Sequence, residues 1–464
     1  MDFPDTIVAL SSGRLPAGIA VIRISGKQTR FALETISGEL PEPRLASYGA
    51  LRAPAGAKID SGLILFFPAP RSFTGEDCAE FQIHGGKAVV AAILAALTGI
   101  PGVRHAEAGE FTRRAFLNGK LDLTETEALA DLISAETEAQ RRLAVLNADG
   151  AQSNLYSGWR QRLIHARAMI EAELDFADEL DVPGSVADIV WADMEKLLGE
   201  IREHISGFHR AEMIRDGYDV VIVGAPNAGK SSLLNALARR DAAIVSDEPG
   251  TTRDLVELAL DLNGIKVRLT DTAGIREGAG KVEAIGIERA RQRAESSDLV
   301  LLLIDATAEA PVLPVLVNPN VIHIETKADL VAGSLIGAKD ISAVAGLGHI
   351  ANARVISTEA ADQPLLMVSS ITGQGIDQLL GLLAERAKHA VGEAGDVLPS
   401  RLRHIELLRE TAAHLESALV ADGRGLELRA DDLRLAADRL GRISGAVDVE
   451  DLLNVIFSQF CIGK

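Results

Sequence analysis

GAPNAGKS, residues 224–231, is the most informative segment of this 464-residue chain because it matches the phosphate-binding pattern GxxxxGK[ST]. An apolar run, YDVVIV (218–223), precedes it, and a helix-forming run, SLLNALARR (232–240), follows it. The glycines allow a tight loop whose N–H groups can point at a β-phosphate. Lys230 would neutralise the β- and γ-phosphates, and Ser231 would offer its hydroxyl to Mg2+. The segment predicts a strand, a phosphate-binding loop and a helix in succession.

Four further segments follow in the order that a GTPase requires. Each is weak alone, but their common order and their places after predicted strands or beside them make the set strong. The segments are GTTRD (250–254), DTAG (271–274), TKAD (326–329) and SSIT (369–372).

These segments divide the work between metal, phosphate and base. Thr252 can reach Mg2+ and the γ-phosphate, Asp271 can hold Mg2+ through water, and the Gly274 N–H can contact the γ-phosphate. Asp329 can accept from the two adjacent N–H groups of guanine, and a serine N–H in SSIT can meet guanine O6. We therefore expect guanine, and an ATPase is the less favoured alternative.

Two positions depart from the usual GTPase pattern. Thr326 stands where the base-reading motif usually begins with Asn; because Thr lacks an amide, we expect a weaker tie to the phosphate loop and looser nucleotide binding. Ile275 stands where Ras-like enzymes carry a Gln that orients the attacking water. Asn227 can instead ligate a monovalent cation beside the nucleotide, and Glu283 can orient the water. The alternatives are loop packing for Asn227 and a solvated helix charge for Glu283.

Alternating strands and helices surround these motifs and predict a Ras-like P-loop α/β domain over residues 217–387. Asn263–Gly264 predicts a hairpin between two of the strands, and the longer connections predict that most of the sheet is parallel. The predicted strands are 218–223, 256–262, 265–271, 299–305, 321–325 and 365–369.

The regions on either side differ from the α/β domain. Residues 1–118 mix short β-rich runs with Gly and Pro and predict an α+β domain. Residues 119–216 and 388–464 carry apolar residues at helical spacing, and each is too thin to hold a separate core. We therefore predict a discontinuous all-α helical domain that contains the α/β domain as an insertion, rather than four domains in a row. Thr124 and Glu127 predict a capping box at the start of one helix.

Composition and charge narrow the functional classes. The 47 Lys and Arg against 66 Asp and Glu give a net charge of −19, which excludes a broad basic coat for nucleic acid. Cys78 and Cys461 cannot form a disulfide framework and favour a reducing cytosol. The N-terminus, MDFPDTIVAL, lacks the features of a signal peptide, and no run reaches 18 apolar residues. We expect a cytoplasmic, multidomain α/β protein that does not enter membranes.

The chain resembles the tRNA-modification GTPase family MnmE (TrmE) over essentially its whole length. Beyond the GTPase motifs, which many translation-associated GTPases share, the resemblance lies in N-terminal and C-terminal signatures. Ala108 departs from the family pattern, which often has Pro before GEF. The signatures are DTIVAL (5–10), VIRISG (21–26), SFTGEDCAEFQIHGG (72–86), GEFTRRAFLNGKLDL (109–123) and FCIGK (460–464).

The resemblance implies formation of the carboxymethylaminomethyl group on the wobble uridine of certain tRNAs, together with an FAD-containing partner, MnmG. The one-carbon unit would come from a tetrahydrofolate, as the 5,10-methylene or 5-formyl derivative, bound by the N-terminal folate-binding and dimerisation domain. The positions that match the family's folate contacts are Arg23, Glu80, Lys120 and Lys464. A pterin offers donors to a carboxylate, and a glutamate tail suits Arg or Lys.

The resemblance also implies a homodimer whose G domains meet across their nucleotide faces, with K+ in place of an arginine finger. Mg2+ falls to Ser231 and Thr252, and Glu283 matches the family's water-positioning residue. The K+ ligands would be Asn227, Ser246, Glu248 and Thr251. The full set of GTP-binding positions is Asn227, Ala228, Gly229, Lys230, Ser231, Ser232, Ser246, Thr251, Thr252, Asp271, Thr272, Ala273, Gly274, Thr326, Lys327 and Asp329.

Three assignments stay open at this point. Cys461, next to the expected folate site, is either a nucleophile toward a one-carbon unit or uracil, or a small packed residue behind Phe460. Cys78 is expected in the core, and His84 is expected in a loop with local hydrogen bonds. The alternative function is a switch GTPase that assembles on ribosomal RNA without one-carbon chemistry, although such a protein has no reason to carry the N-terminal domain and CIGK.

Overall fold

The computed structural model describes residues 3–175, 186–244, 257–271, 291–308, 318–331, 365–392, 395–420, 425–447, 456–457 and 463. The chain divides into two compact units. One comprises Met1–Ile133, Ala144–Ile205 and Leu402–Lys464, and the other comprises Ser134–Leu143 and Ser206–Arg401. The second unit therefore interrupts the first in chain order, and the predicted insertion is confirmed, while the exact domain boundaries stay predictions. None of the described helices is both long and apolar enough to span a membrane.

The N-terminal part of the first unit is the expected α+β fold. Its sheet has the order β3-β4-β5-β2-β1-β6, antiparallel except where β1 pairs with β6. One face packs against α1 and α2 around buried residues such as Ile22, Ile64 and Phe81. The elements are β1 Thr6–Leu10, β2 Ala17–Ser25, α1 Thr29–Ser37, β3 Ser47–Arg52, β4 Lys58–Phe67, β5 Cys78–Gly85, α2 Lys87–Thr98, β6 Val103–His105 and α3 Glu110–Leu117.

The remainder of the first unit is helical, and its apolar stripes meet in one core that includes Leu163, Leu197, Leu408 and Leu433. Residues from both sides of the insertion contribute to this core. This was expected, because the apolar helix faces of either segment alone are too small to form a separate core. The helices that contribute to this region are α4 Leu123–Ser134, α5 Glu138–Ala148, α6 Ala151–Asp175, α7 Val186–Ser206, α11 Leu402–Leu419 and α12 Leu426–Ser444. The first residues of α5 belong to the second unit.

The capping box at the start of α4 is shifted by two residues from the predicted one. Asp122 Oδ1 accepts the Glu125 N–H at 2.8 Å, and Glu125 Oε2 accepts the Asp122 N–H at 2.8 Å. The box is therefore Asp122 with Glu125, and the prediction of Thr124 with Glu127 is wrong. The Thr124 hydroxyl instead donates to Asp122 Oδ1 at 2.8 Å.

Glu127 joins α4 to the start of α11 through a buried ion pair. Arg403 donates to both of its carboxylate oxygens at 2.7 Å, and His404 Nε2–H donates to Oε2 at 3.0 Å. Burial alone would raise the pKa of Glu127, but the charges and hydrogen bonds of His404 and Arg403 hold that pKa well below its ordinary value. This carboxylate thus holds together two segments of the helical core that the insertion separates by more than 270 residues.

The second unit is a mostly parallel α/β sheet in the order β12-β11-β10-β7-β9-β8. Among the strands that the structure describes in this unit, only β8 runs antiparallel to its neighbour, β9, through a turn in which Asn263 and Gly264 both have positive φ. Apolar residues such as Val220, Leu301 and Ile324 are buried in the sheet, so these strands read as continuous apolar runs. The elements are α8 Phe208–Asp216, β7 Tyr218–Gly224, α9 Lys230–Ala238, β8 Glu257–Leu262, β9 Ile265–Asp271, β10 Leu299–Asp305, β11 Val321–Thr326, β12 Leu365–Met367 and α10 Ile376–Val391.

The segment Ser134–Leu143 is part of this second unit although the sequence places it in the helical region. The Ala139 N–H donates to the Gly264 carbonyl at 2.9 Å, and Lys266 Nζ lies 2.6 Å from Glu136 Oε2. Gln140 Nε2 donates to the Arg215 carbonyl at 2.7 Å. The start of α5 is therefore bonded to the β8–β9 turn and to the end of α8.

We expect Glu127→Gln to destabilise the helical core by about 3–5 kcal/mol, because Arg403 and His404 would lose their buried counter-charge. Urea unfolding followed by tryptophan fluorescence measures this, since Trp159 and Trp191, the two tryptophans of the chain, both lie in that core. The depressed pKa means that the stabilisation is complete above the ordinary glutamate pKa and is lost as pH falls below it. Wild type should therefore lose stability in acid more steeply than the variant.

The matched control is Glu416→Gln, which breaks the exposed 2.7 Å ion pair with Arg202 between α7 and α11. That change should cost no more than about 1 kcal/mol. Equal losses for the two variants would contradict the role assigned to Glu127.

Candidate functional site

The phosphate-binding loop follows β7 and leads into α9, as predicted. A Cβ built on Gly224 would lie 2.7 Å from the Leu303 carbonyl oxygen of β10, so only glycine fits at the start of the loop. Asn227 and Gly229 both adopt positive φ, 68° and 89°. The Asn227 side chain is exposed, whereas Ala228 is buried beneath the loop. The loop thus presents an amide outward and its backbone inward.

Lys230 and Ser231 occupy the first positions of α9, where a helix N-terminus favours anions. Lys230 is buried, and its Nζ donates to the carbonyls of Gly224 at 2.8 Å and Ala225 at 3.0 Å. The ammonium is therefore held over the loop itself. Ser232 follows in the same turn and is exposed.

Ser231 and Asp271, the two described residues expected near Mg2+, lie side by side. Ser231 Oγ donates to Asp271 Oδ2 at 3.1 Å, and Asp271 is buried at the end of β9. A hydroxyl and a carboxylate are the oxygen donors that Mg2+ prefers, with phosphate and water completing its shell. Among the described residues no cluster of three His, Cys, Asp or Glu side chains could hold a metal. By their chemistry, the Ser231 hydroxyl and the Asp271 carboxylate fit a Mg2+ ion whose other ligands would be phosphate and water.

Thr326 ties the base loop to the phosphate loop, against the expectation from its missing amide. Its Oγ1 lies 2.8 Å from the Ala228 carbonyl and 3.2 Å from the Ile304 carbonyl. Gly229 lies beside Thr326, and a Cβ built on it would be in ordinary contact with Thr326 at 3.6 Å; what requires glycine there is its positive φ of 89°. The expectation of a weaker tie is corrected in this respect: the tie exists, although a hydroxyl has a single proton to share between the two carbonyls.

Lys327 adopts the left-handed conformation, with φ of 60°, and its Nζ lies 2.5 Å from Asp305 Oδ2 at the end of β10. Hydrogen bonding from Lys327, supported by Thr307, lowers the pKa of Asp305 to about 2. The ion pair fixes the Lys327 stem between the ends of two adjacent parallel strands.

Asp329 is oriented by a residue whose side-chain role the sequence did not reveal. Ser369 is fully buried, and its Oγ donates to Asp329 Oδ1 at 2.6 Å. The same Oγ accepts from the N–H groups of Thr372 at 3.2 Å and Ile371 at 3.3 Å. SSIT was expected to offer a backbone N–H to guanine; its first serine also locks the carboxylate that would read the base.

The other predicted nucleotide and cation residues lie outside the described residues. They are Ser246, Glu248, Thr251, Thr252, Thr272, Ala273, Gly274 and Glu283. The same is true of Cys461 and Lys464.

A second cluster lies on the N-terminal sheet. Arg23 of β2 faces Glu80 of β5 as a cross-strand pair, with Nε and Nη2 donating to Glu80 Oε1 at 3.0 and 2.8 Å. The Arg23 guanidinium lies 5.3 Å from the Phe73 ring centre and 5.8 Å from that of Phe111. Lys120 donates through Nζ to the Pro70 carbonyl at 3.1 Å, on the loop that carries Phe73.

The C-terminal end also reaches this unit. Gly463 accepts a hydrogen bond at 2.7 Å from Ser11 Oγ, and a Cβ built on it would lie 2.1 Å from the Leu10 carbonyl oxygen. The glycine of CIGK is therefore required by the close approach to the end of β1.

Two minor predictions are also settled by this sheet. Cys78 is buried, as expected. His84 is not in a loop: it lies in β5, is exposed, and bonds through Nδ1 to Asp60 of β4 at 2.9 Å.

The parallel sheet, the phosphate-binding loop and the Asp329 base loop define a P-loop GTPase. Two families match the chain: the MnmE helical domain over residues 123–461, and the N-terminus of the GTP-binding protein TrmE over residues 6–120. The tRNA modification GTPase MnmE of Mesorhizobium japonicum is 61% identical over 99% of both chains. That of Brucella canis is 57% identical over 100% of this chain and 99% of its own. The chain belongs to the MnmE family.

Solved structures of other GTP-binding proteins are similar to part of the chain. The G domain of the T. maritima FeoB iron transporter is 23% identical over 36% of this chain and 98% of its own, with a TM-score of 0.24.

We expect Thr326→Val to weaken GTP binding about tenfold, because the Ala228 carbonyl would lose its hydrogen bond where the two loops meet. Thr326→Ser keeps the hydroxyl and is the matched control, with a change of less than about threefold. Titration with a fluorescent GTP analogue measures both. Equal affinities for the Val and Ser variants would show that this hydrogen bond does not organise the site.

Proposed function

We propose that this GTPase uses its hydrolysis cycle to drive formation of the carboxymethylaminomethyl group on the wobble uridine of certain tRNAs, with an FAD-containing partner of the MnmG type. The observation that carries the proposal is the Arg23–Glu80 pair, framed by Phe73 and Phe111, in the same chain as the phosphate-binding loop and base loop of a P-loop GTPase. A GTPase that only switches on ribosomal RNA has no reason to carry the N-terminal domain in which this pair lies, or the C-terminal CIGK.

The Arg23–Glu80 pair suits a tetrahydrofolate, as the 5,10-methylene or 5-formyl derivative. Arg23 bonds only to Oε1 of Glu80, and within the described part of the chain Oε2 receives no hydrogen bond. That oxygen can accept from the donors of a pterin, while the nearby rings offer a flat apolar surface. Lys120 and Lys464 are the cations proposed for the glutamate tail. When bound, the folate supplies the one-carbon unit.

GTP hydrolysis in this proposal depends on K+ and Mg2+. The exposed Asn227 amide, together with Ser246, Glu248 and Thr251, would hold K+ and so supply the positive charge that an arginine finger gives elsewhere. Ser231 and Thr252 would hold Mg2+. Glu283 would position the attacking water, since Ile275 cannot.

A homodimer is part of the proposal, and the N-terminal sheet offers a surface for it. Tyr48 on the edge strand β3 is 76% exposed, and its cross-strand neighbour Leu63 is 38% exposed. An exposed apolar pair on the edge strand of the described sheet favours contact with a second copy.

The net charge of −19 favours an arrangement in which the partner protein, rather than this chain, supplies much of the binding surface for tRNA.

We expect GTP turnover to be at least about tenfold faster in KCl than in NaCl, because the cation would stabilise charge that develops in the transition state. Asn227→Ala should abolish the difference. Asn235→Ala, an exposed change on α9 of the same unit, is the control and should keep it. Steady-state phosphate release measures all three proteins, and equal rates in both salts for the wild type would rule out the cation mechanism.

Deleting the gene should remove carboxymethylaminomethyl-uridine from total tRNA, as measured by nucleoside mass spectrometry. The wild-type gene should restore it and Asn227→Ala should restore little, because hydrolysis is coupled to the modification. Cys461→Ser in the same assay distinguishes the two roles of this cysteine. The variant should restore no modification if Cys461 is a nucleophile, and should restore it if Cys461 is a packed residue. Unchanged tRNA nucleosides in the deletion strain, with altered ribosome assembly, would favour the switch GTPase.

A further inference from the structure

Arg114 is a buried cation that the proposed chemistry leaves unused. It lies on α3, is 1% exposed, and contacts three carboxylates: Asp5 at 2.8 Å, Glu110 at 3.0 Å and Glu76 at 3.2 Å. It also donates to the Asp5 carbonyl at 3.0 Å. Burying a guanidinium is costly unless it is paired and bonded, so this arrangement fixes its neighbours in place.

The neighbours that Arg114 fixes are the two segments that frame Arg23. Phe111 lies on α3, the helix that carries Arg114, and Phe73 lies on the loop of residues 68–77, which carries Glu76. The Arg114–Glu76 ion pair therefore holds the two rings at a set separation. A second bond between the same segments, from Asn118 Nδ2 to the Thr74 carbonyl at 2.8 Å, acts in the same direction.

Glu76 also ties this loop to the strand that carries Arg23. Ser25 Oγ, two residues further along β2 on the same side as Arg23, donates to Glu76 Oε2 at 2.7 Å and lies 2.7 Å from Thr74 Oγ1. Glu76 thus stands between α3 and β2, and through it the position of Phe73 is set relative to the Arg23 guanidinium.

We propose that Glu76 and Arg114 are positioning residues for the Arg23–Glu80 pair: they hold Phe73 and Phe111 where the two rings keep the Arg23 guanidinium turned toward Glu80. Neither residue belongs to the pair that would contact the folate. The inference rests on the proposed function, because it takes the pair to be the folate-binding one.

The experiment is a double-mutant cycle read by equilibrium dialysis of 5-formyl-tetrahydrofolate against the full-length protein. Glu76→Gln should weaken binding about tenfold in the wild-type background. In the Arg23→Lys background, which already lacks the oriented guanidinium, the same change should weaken binding less than about twofold. A purely structural role would give the same loss in both backgrounds, and that result would overturn the inference.

Arg104→Gln is the matched control. Arg104 pairs with Asp5 at 2.5 Å and Glu110 at 2.6 Å, the same two carboxylates as Arg114, but it has no contact with Glu76. Its loss should leave folate binding within about twofold of wild type, and a loss as large as that of Glu76→Gln would overturn the inference. If Glu76→Gln fails to fold by circular dichroism, Asn118→Ala replaces it in the cycle, with the same expected coupling.

The two proposals fail differently. If the wild-type protein does not bind 5-formyl-tetrahydrofolate, the folate site itself is wrong and the inference falls with it. If wild type binds and Arg23→Lys weakens binding, but Glu76→Gln and Asn118→Ala show no coupling to Arg23, only the positioning role is wrong.

Discussion

A single buried carboxylate, Glu127, joins two segments of the helical region that the inserted GTPase unit keeps far apart in sequence. Arg403 contacts both oxygens and His404 contacts one, so the charge is compensated inside the core rather than at its surface. A bidentate ion pair has a defined geometry, and it therefore fixes how α4 is placed against the start of α11.

The two candidate sites are organised in the same way. In each, a buried residue without a ligand contact of its own orients the residue that would contact the ligand. Ser369 holds the Asp329 carboxylate, and Glu76 with Arg114 holds the segments around Arg23. Buried polar groups that are held by several hydrogen bonds are well suited to this because leaving them unpaired is costly. The ligand-facing residues can then remain partly exposed without losing their direction.

The parts of the fold that sequence predicts best are those governed by local chemistry. Continuous apolar runs predicted β7 and β10, and Asn263–Gly264 predicted the β8–β9 hairpin. The glycine-rich segment predicted a phosphate-binding loop with Lys230 and Ser231 at the start of the following helix. Membership of the MnmE family followed from signatures at both ends of the chain.

The features that the sequence did not predict depend on contacts between residues that are far apart in the chain. T-x-x-E at Thr124 and D-x-x-E at Asp122 are equally good capping-box patterns in the sequence. The structure uses Asp122 with Glu125, because Glu127 bonds instead to Arg403 and His404, which are distant in the chain. The expectation of a weaker tie at Thr326 was wrong because the sequence does not show that the Ala228 carbonyl lies 2.8 Å from its hydroxyl. The i,i+4 spacing of Glu110 and Arg114 could have indicated an ion pair between them. The sequence does not show that this pair is buried as part of a larger network.

The seat of Gly463 against Leu10 and Ser11 has a consequence for biosynthesis. Ser11 and Gly463 are 452 residues apart, so the ribosome makes β1 long before it makes the glycine that contacts it. At roughly 5–20 residues per second, synthesis of the 452 residues that separate them takes on the order of half a minute to a minute and a half. For that time β1 is present without this neighbour, so the contact forms only after the intervening chain has been made.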